Sequence, residues 1–362
     1  MKNHNNYCII MAGGIGSRFW PISRNNKPKQ FLDILKTGKT LIQQAFERFE
    51  FFCPPENIFI VTSDIYEEIT REQLPNISKD HILLEPIRRN TAPCIAYANE
   101  KIRLVNPNAN IIVAPSDHII LNEDRFRTVI NNGLSFTESN DALVTIGIKP
   151  TNPNTGYGYI QFEDTDLLDN NIFKVKTFTE KPTLDLAEVF LQSGDFLWNS
   201  GIFIWNLNAV SAAFKQFLPD VYSLFAKDSS IYYNKNENEH IAKIYASCKS
   251  ISIDYGIMEK ADNVFVIAAD FGWSDLGTWG SLFEYLHRNE HNNACDLQNV
   301  ITHDTANSII NIDKNTVAVI QGLDNYIVAL TDNCLLICNK SEEQKLKNIV
   351  TELKNKFGEQ YI

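Results

Sequence analysis

The sequence contains no run of about 18 to 20 consecutive apolar residues, the length that a helix needs to cross a bilayer. The polar residues 1–6 are followed directly by the apolar residues 7–11, an order that lacks the layout of a signal peptide. We therefore expect a cytoplasmic protein.

Cysteine pairs are missing as well. The seven cysteines are scattered along the chain, and no two of them form a Cys-x-x-Cys pair. Cys334 and Cys338 lie in an apolar, strand-like run, where packing in the core is the favoured interpretation. We expect neither disulfide bonds nor a zinc site.

The chain also lacks an excess of basic residues. It has 33 Lys and Arg against 44 Asp and Glu, a formal net charge of -11. This balance argues against nucleic acid or an anionic membrane as the main partner, so any phosphate must bind in a local basic pocket. The 362 residues, 44% of them hydrophobic, suffice for a large core and about two domains.

Short runs rich in Ile and Val alternate with segments of helical periodicity up to about residue 149. The predicted strands are 7–11, 58–62, 82–85, 111–115 and 143–148, and the predicted helices include 40–51 and 91–105. This alternation predicts an α/β fold of strand–helix–strand units on a parallel sheet. Ligands of such sheets bind at the carboxyl ends of the strands.

The rest of the chain divides at an Asn-rich stretch. Residues 150–285 keep the mixed character, with strand-like pieces at 156–162, 173–178 and 201–205, and extend the first domain. Closely spaced short strands follow at 300–339, and an amphipathic helix at 341–356. We therefore predict a catalytic domain over 1–288, a linker over 289–299 and a small β-rich domain over 300–362.

A glycine-rich segment follows the first predicted strand. Gly13, Gly14 and Gly16 allow the backbone to approach a phosphate, and Arg18 and Lys29 supply charge for its oxygens. The segment lacks the third glycine of a dinucleotide-binding fingerprint and the Gly-Lys-Ser/Thr of a P-loop. A phosphate-binding loop is the favoured interpretation, with a tight turn as the alternative.

Two aspartates are candidate metal ligands. Asp117 follows the fourth predicted strand, and Asp275 lies in the run Trp-Ser-Asp-Leu-Gly-Thr-Trp at 273–279. Mg²⁺ typically takes one or two carboxylates together with substrate phosphates. Asp117 would look the same if it capped the next turn, and Ser274 or Asp275 would look the same as a helix N-cap.

Three further motifs lie between these aspartates. Gly158 permits close backbone approach, Glu180 and Asn199 are suited to sugar hydroxyls, and Lys181 can hold a second phosphate. Each one alone is more often an ordinary loop or strand-end residue. Their order along the chain supports a sugar-phosphate site.

The motifs together resemble those of the bacterial mannose-1-phosphate guanylyltransferases, also called GDP-mannose pyrophosphorylases. The resemblance runs over almost the whole chain. The matching segments are 13–21, 28–31, 85–86, 89–93, 116–118, 156–159, 178–182, 198–203, 252–255, 258–260 and 273–279.

This resemblance implies a Rossmann-like nucleotidyltransferase domain with a mixed central sheet, followed by a small strand-rich domain that can support homodimer contacts. It implies that the glycine segment and Lys29 bind the triphosphate of GTP. It also implies that Glu85, Asn90 and Thr91 lie by the base. Mannose 1-phosphate would be held by Glu180, Lys181 and Asn199, with Asp254 as a further substrate contact. Mg²⁺ would be held by Asp117 and Asp275.

Two departures from the family pattern matter. Many bacterial relatives continue into a domain that isomerises mannose 6-phosphate, and we expect that activity to be absent here. Arg88 stands where the pattern has glycine, which bears on how the base is read.

Two alternatives remain open at this stage. The first keeps the chemistry but changes the nucleotide or the sugar 1-phosphate. The second is a non-catalytic regulatory paralogue that binds nucleotide sugar, against which stands the presence of all five charged residues proposed for catalysis: Arg18, Lys29, Asp117, Lys181 and Asp275.

Overall fold

The computed structural model describes residues 3–163, 171–295, 298–331 and 333–362. Contacts group the chain into two compact units. The larger unit comprises Met1–Gly13, Gln44–Ser116 and Ile120–Trp273, and the smaller unit comprises Gly14–Gln43, Asp117–Ile119 and Ser274–Ile362. Within the described ranges, no helix is both long enough and apolar enough to cross a membrane.

The strands in chain order are β1 (Asn6–Met11), β2 (Ile58–Ser63), β3 (Ile82–Glu85), β4 (Asn110–Pro115), β5 (Ile119–Ile120), β6 (Leu143–Ile148), β7 (Gly158–Phe162), β8 (Ile172–Glu180), β9 (Phe196–Asn206), β10 (Val264–Ala269), β11 (Trp273–Ser274), β12 (Ala294–Cys295), β13 (Val300–His303), β14 (Ile309–Asn311), β15 (Ala318–Gln321), β16 (Tyr326–Thr331) and β17 (Cys334–Asn339).

The α-helices are α1 (Leu41–Phe49), α2 (Glu67–Gln73), α3 (Thr91–Val105), α4 (Glu123–Ser139), α5 (Leu184–Ser193), α6 (Leu207–Phe217), α7 (Pro219–Ala226), α8 (Glu237–Ser247), α9 (Trp279–Phe283) and α10 (Leu346–Phe357). A π-helical turn covers Asp254–Met258. Short 3-10 turns cover Ser17–Phe19, Lys29–Phe31, Pro55–Asn57, Asp64–Tyr66, Lys79–His81, Ser229–Ile231, Lys340–Lys345 and Glu359–Tyr361.

The larger unit is built on a nine-stranded sheet with the order β3-β2-β1-β4-β9-β6-β10-β8-β7. The first four strands are parallel, as the sequence predicted. β9 runs antiparallel to both β4 and β6, so β6 has the same direction as β1 to β4, and all five early strands have the predicted parallel orientation. The mixed central sheet implied by the family resemblance is confirmed.

Helices cover both faces of this sheet. α3, α6 and α7 pack on the face that carries Ile9, Ile111 and Val113. α4 packs on the other face, where a Cβ at Gly133 would lie only 2.4 Å from Cδ1 of Ile204. The alternation of side chains along each buried strand therefore fills two separate layers of core.

Short parallel ladders form the strand-rich part of the smaller unit. β12, β14 and β16 pair in parallel, and β13 pairs in parallel with β15. β17 turns back antiparallel to β16, and α10 follows β17 after the 3-10 turn Lys340–Lys345. The predicted fold class, an α/β domain with a small strand-rich C-terminal domain, is confirmed.

The hydrophobic core of the smaller unit joins both ends of the sequence. Phe19 and Trp20, next to the glycine segment, share this core with Trp279 and with Leu346 of α10. The indole Nε1 of Trp20 donates a 2.7 Å hydrogen bond to the carbonyl oxygen of Tyr361.

The predicted linker over 289–299 contains the strand β12 and the buried side chain of Asn293. The contact grouping places residues 14–43 together with 274–362. The boundaries at residues 288 and 300 predict that the catalytic domain and the C-terminal domain fold independently of each other. They stay a prediction.

None of the seven cysteines, which all lie in the described ranges, forms a disulfide bond. Cys334 lies in the core of the smaller unit and Cys338 packs against it, so their interpretation as packing residues is confirmed.

Candidate active site

The glycine loop of the smaller unit, residues 14–18, is held in one conformation by its neighbours. Gly16 has a φ of 63°, and a Cβ there would lie 2.9 Å from Oγ of Ser23 and 3.0 Å from Cγ of Lys29. Gln30 donates from Nε2 to the carbonyl oxygen of Gly14 at 2.9 Å. Only glycine fits at position 16, because both the backbone angle and the space exclude a side chain.

The two basic residues assigned to the triphosphate differ in their surroundings. Arg18 is exposed at the 3-10 turn that follows the loop. Lys29 is buried, and its Nζ lies 3.0 Å from Oδ2 of Asp117. The same ammonium donates to the main-chain oxygens of Asp275, at 2.7 Å, and Leu276, at 2.8 Å. Since an ammonium has three hydrogens, these protein oxygens use all of its donors.

Asp275 does not cap the following helix. The N-cap of α9 is Thr278, which forms a capping box with Ser281. Oδ1 of Asp275 instead accepts a 2.9 Å hydrogen bond from the backbone N–H of Gly277. The alternative interpretation of Ser274 or Asp275 as the helix N-cap was therefore wrong.

Lys29 brings together the chain segments of the two aspartates that were predicted as metal ligands. The ammonium contacts both the carboxylate of Asp117 and the main chain of Asp275, so these two segments meet around one positive charge. In the described part of the chain, no group of three or more His, Cys, Asp and Glu side chains is arranged to hold a metal ion. Two carboxylates completed by phosphate and water oxygens are a donor set of the kind that Mg²⁺ takes, and the assignment of Asp117 and Asp275 to Mg²⁺ stays a prediction.

Glu85 ends β3 in the larger unit, and protein atoms bury its carboxyl group. Its Oε1 accepts a 3.0 Å hydrogen bond from the hydroxyl of Tyr245, and its Oε2 lies 3.4 Å from the position of a Cβ on Gly13. Burial raises the pKa of Glu85 to about 7, while the Tyr245 hydrogen bond and the charge of Arg88 oppose that rise.

Asn90 and Thr91 have structural partners in the larger unit. The side chain of Asn90 accepts from the backbone N–H of Thr91 and caps α3. The hydroxyl of Thr91 accepts from the backbone N–H of Ile253 at 2.9 Å. These bonds tie the start of α3 to the segment before Asp254. The assignment of Asn90 and Thr91 to the base stays a prediction.

Gly158, Glu180 and Lys181 are neighbours at one end of the β7–β8 pair. Gly158 and Glu180 face each other across the strands, and a Cβ on Gly158 would lie only 2.4 Å from Oε2 of Glu180. The exposed ammonium of Lys181 contacts Oε1 of Glu180 at 2.6 Å. Lys181 has a φ of 48°, an uncommon value for a residue other than glycine.

Asn199 and Asp254 are directly joined. Nδ2 of Asn199 donates to Oδ1 of Asp254 at 2.8 Å. Burial, and then the charge of Glu180, raise the pKa of Asp254 to about 6. Hydrogen bonds from its own backbone N–H and from Asn199, and the charge of Lys181, act in the opposite direction. The two carboxyl groups are therefore close enough to influence each other.

Sequence reasoning missed two residues that form hydrogen bonds with the predicted site residues Glu85 and Asn199. Tyr245 lies in α8, far from Glu85 in sequence, and no local pattern points to it. Thr145 donates to Oδ1 of Asn199 at 2.9 Å. It is the one hydroxyl residue in the otherwise apolar strand β6, and that contrast was a usable signal.

The class of protein follows from comparison with known families. The family described as "Nucleotidyl transferase" matches residues 7–292. A second family, described as "MannoseP isomerase/GMP-like beta-helix domain", matches residues 298–353. The first match covers more than half of the chain, so the protein belongs to the nucleotidyl transferase family and is an enzyme of that type.

Individual relatives within the family are named for one activity. The chain is 33% identical over 354 residues to a mannose-1-phosphate guanylyltransferase from Escherichia coli, covering 95% of this chain and 75% of the relative. It is 34% identical over 366 residues to a mannose-1-phosphate guanylyltransferase from Salmonella montevideo, covering 98% and 75%. A crystal structure from Thermus thermophilus, named a mannose-1-phosphate geranyltransferase, matches with a TM-score of 0.86 at 28% identity over 97% of this chain and 99% of that one. The resemblance predicted from the motifs is confirmed.

Proposed function

We propose that this protein transfers GMP from GTP to mannose 1-phosphate, giving GDP-mannose and pyrophosphate. The observation that carries the proposal is its similarity, over 95% of the chain, to a relative named for that activity. The residue types are consistent with it, since carboxylates suited to a base and a sugar occur in the larger unit and basic groups suited to phosphates occur in both units.

In this reaction a phosphate oxygen of mannose 1-phosphate attacks the α-phosphorus of GTP in line with the leaving group. The new P–O bond forms as the bond from the α-phosphorus to the bridging oxygen breaks, and pyrophosphate leaves. The attacking oxygen is already ionised near neutral pH, so no general base is needed. Catalysis then consists of positioning and of neutralising charge.

Guanine presents its N1–H and N2–H₂ donors along one edge. We assign this edge to the carboxylate of Glu85, because Oε1 is already oriented by Tyr245 and Oε2 lies beside Gly13, where the glycine segment begins. Adenine lacks this pair of donors, so an ionised Glu85 favours GTP over ATP.

Mannose 1-phosphate is assigned to the carboxylates of Glu180 and Asp254 and to the ammonium of Lys181. The carboxylates accept from sugar hydroxyls, while the exposed Lys181 neutralises the phosphate. The amide of Asn199 forms hydrogen bonds with protein atoms, namely the carboxylate of Asp254 and the backbone N–H of Gly201. We therefore assign Asn199 the role of positioning Asp254.

The triphosphate is assigned to the loop N–H groups, Arg18 and Lys29. Arg18 is exposed and can form direct hydrogen bonds. Lys29 gives its three hydrogens to protein oxygens, so it contributes through its charge and by holding Asp117 and Asp275. When bound, Mg²⁺ would be held by these two aspartates and would neutralise developing charge on the phosphates.

A substrate panel tests the proposal. Purified protein is offered each nucleoside triphosphate with mannose 1-phosphate and with glucose 1-phosphate, and pyrophosphate release is measured. We expect turnover with GTP and mannose 1-phosphate, its loss in EDTA, and its recovery with Mg²⁺. Turnover with only another base or sugar would overturn the substrate assignment, and full activity in excess chelator would overturn the metal assignment.

We also propose a cytoplasmic homodimer with no nucleic-acid or membrane partner. The net charge of -11 supports the absence of anionic partners.

The homodimer is supported by an exposed apolar pair. On the paired strands β13 and β15, the apolar side chains Ile301 and Val319 face each other and are exposed. A second copy of the chain would cover them. Light scattering should then give a dimer for the natural chain and a monomer for Val319→Lys.

A further inference from the structure

A buried threonine supports the sugar-binding carboxylates. Thr145 lies in the middle of β6, among apolar neighbours, with 0% of its surface exposed. A buried hydroxyl is costly unless it forms a hydrogen bond. Its Oγ1 donates to Oδ1 of Asn199 at 2.9 Å, and the carbonyl oxygen of Ile202 lies farther away, at 3.4 Å.

The partner strand is irregular at this point. Thr145 pairs with Phe203, whereas Gly147 pairs with Asn199, so the single residue between these pairs on β6 faces three residues of β9. Gly201, in the extra segment, has a φ of 70°, and Oγ of Ser200 donates to the carbonyl oxygen of Ile146 at 2.8 Å. A bulge of this kind redirects the side chains beside it.

The amide of Asn199 can point in only one way. Its Oδ1 receives both the hydroxyl of Thr145 and the backbone N–H of Gly201, the latter at 3.1 Å. The backbone N–H of Gly201 can only donate, so this atom must be the oxygen, the hydroxyl of Thr145 then donates to it, and the NH₂ group must face Asp254. The bond to Oδ1 of Asp254 is 2.8 Å long.

We propose that Thr145 is a positioning residue for the sugar substrate: by holding the amide of Asn199 it keeps Asp254 oriented as an acceptor for a sugar hydroxyl. This inference rests on the proposed function, because it deepens the assignment of Asp254 to mannose 1-phosphate. Thr145 itself does not touch the substrate.

Charges around Asp254 make this support consequential. Burial and the facing carboxylate of Glu180 raise the pKa of Asp254 to about 6, while Lys181, the backbone N–H of Asp254 and Asn199 favour the ionised form. Losing the oriented Asn199 donor therefore moves the pKa further up, toward neutral pH. A protonated Asp254 accepts hydrogen bonds less well, so sugar affinity then falls as the pH is lowered.

The test compares Thr145→Val, which keeps the shape and removes the hydroxyl, with Thr145→Ser, which keeps the hydroxyl. Steady-state kinetics are measured from about pH 5.5 to 8.5, with each substrate varied in turn. We expect Thr145→Val to raise KM for mannose 1-phosphate about five- to tenfold, the size of one lost hydrogen bond between neutral groups, with KM for GTP little changed. The acid limb of kcat/KM for the sugar should move to higher pH, and Thr145→Ser should stay near the natural enzyme.

Thr137→Val is the matched control. Thr137 is also fully buried and donates to an asparagine, Oδ1 of Asn110, at 2.8 Å. It should lose comparable thermal stability without changing the KM for mannose 1-phosphate. Equal changes in KM from the two valine variants would mean that Thr145 acts only on stability, and the proposal would fail.

A second measurement does not depend on turnover. The carboxyl pKa of Asp254 is followed by ¹³C NMR in the natural protein, in Thr145→Val and in Asn199→Ala. Both substitutions should raise it, and an unchanged pKa in Asn199→Ala would overturn the inference even if Thr145→Val fails to fold. If the natural protein does not use mannose 1-phosphate but the pKa shifts as expected, the proposed function fails while the support of Asp254 by Thr145 stands.

Discussion

Hydrogen-bond partners separate the predicted site residues into two kinds. Asn90, Thr91, Asn199 and Lys29 spend donors or acceptors on protein atoms, so much of their effect is to hold other groups in place. Arg18 is exposed, as a residue that contacts substrate should be before binding. The residue types could be predicted from the sequence, because phosphates and sugars require them. Their partners could not, since those lie far away along the chain.

Glu85 gives a prediction about pH. The buried carboxyl has a pKa of about 7, and only the ionised form accepts from both guanine donors. We expect kcat/KM for GTP to fall as the pH drops below about 7. Glu85→Gln should raise KM for GTP about tenfold or more at pH 8, the size of a lost charged hydrogen bond, and should remove this limb of the profile.

The pH dependence of stability that Glu85 causes has the opposite sign to the pH dependence of kcat/KM for GTP. Because the pKa of Glu85 is raised above its ordinary value, the native state binds a proton that the unfolded chain has released between about pH 4.5 and 7, and stability falls as the pH rises through that window. Chemical denaturation at pH 5 and pH 8 should show a smaller fall in stability for Glu85→Gln than for the natural protein.

In the kinetics, any fall of kcat/KM for GTP at acid pH that remains in Glu85→Gln reports titration of the substrate phosphates. An unchanged limb would therefore contradict the role of Glu85.

Gly158 gives a prediction about space. A Cβ at this position would lie 2.4 Å from Oε2 of Glu180, far inside contact distance, so Gly158→Ala must move that carboxylate. We expect KM for mannose 1-phosphate to rise about tenfold, while KM for GTP changes little. Adding Glu180→Asp shortens the side chain and should recover part of the loss. Equal effects on both substrates would point to a general distortion instead.

Elements were predicted well wherever one periodicity dominates. The helix expected over 91–105 is Thr91–Val105, and all five early strands lie within a residue or so of their predicted positions. The path of β9 could not be predicted, because its apolar residues fit either strand direction. The bulge opposite Thr145 depends on side-chain bonds between β6 and β9, which no local pattern encodes.

Lys29 joins three segments of the smaller unit, and this leads to a prediction about stability. Lys29→Met keeps the length and removes the charge, leaving the carboxylate of Asp117 and two main-chain oxygens without this donor. Losing such buried partners costs about 1 to 3 kcal/mol each, so Tm should fall by several degrees and kcat should fall with it. Lys27→Met, at an exposed position nearby, is the control and should change neither. If the Tm of Lys29→Met equals that of the natural protein, Lys29 does not have this structural role.

At the scale of the whole molecule, two divisions of the chain lead to different expectations. The sequence predicted a catalytic domain over 1–288 and a separate domain over 300–362. Contacts instead group the glycine loop with the C-terminal strands and helix, because Phe19 and Trp20 have their apolar partners there. Segments distant in sequence that share one core cannot be joined by composition or local pattern alone. The two divisions differ in whether the glycine loop needs residues beyond 299.

A shortened chain, 1–299, tests that difference. It lacks Leu346, which is fully buried with Phe19 and Trp20, and the Tyr361 carbonyl that accepts from the Trp20 indole. We expect the fragment to expose this core, bind a hydrophobic dye, and lose GTP binding. In the full chain, Leu346→Ala should cost about 2 to 5 kcal/mol of unfolding free energy by cavity formation, whereas Lys347→Ala, at an exposed neighbour, should cost less than about 0.5 kcal/mol. If the fragment binds GTP as tightly as the full chain, residues 14–43 fold without the C-terminal segment, and the division predicted from the sequence is the functional one.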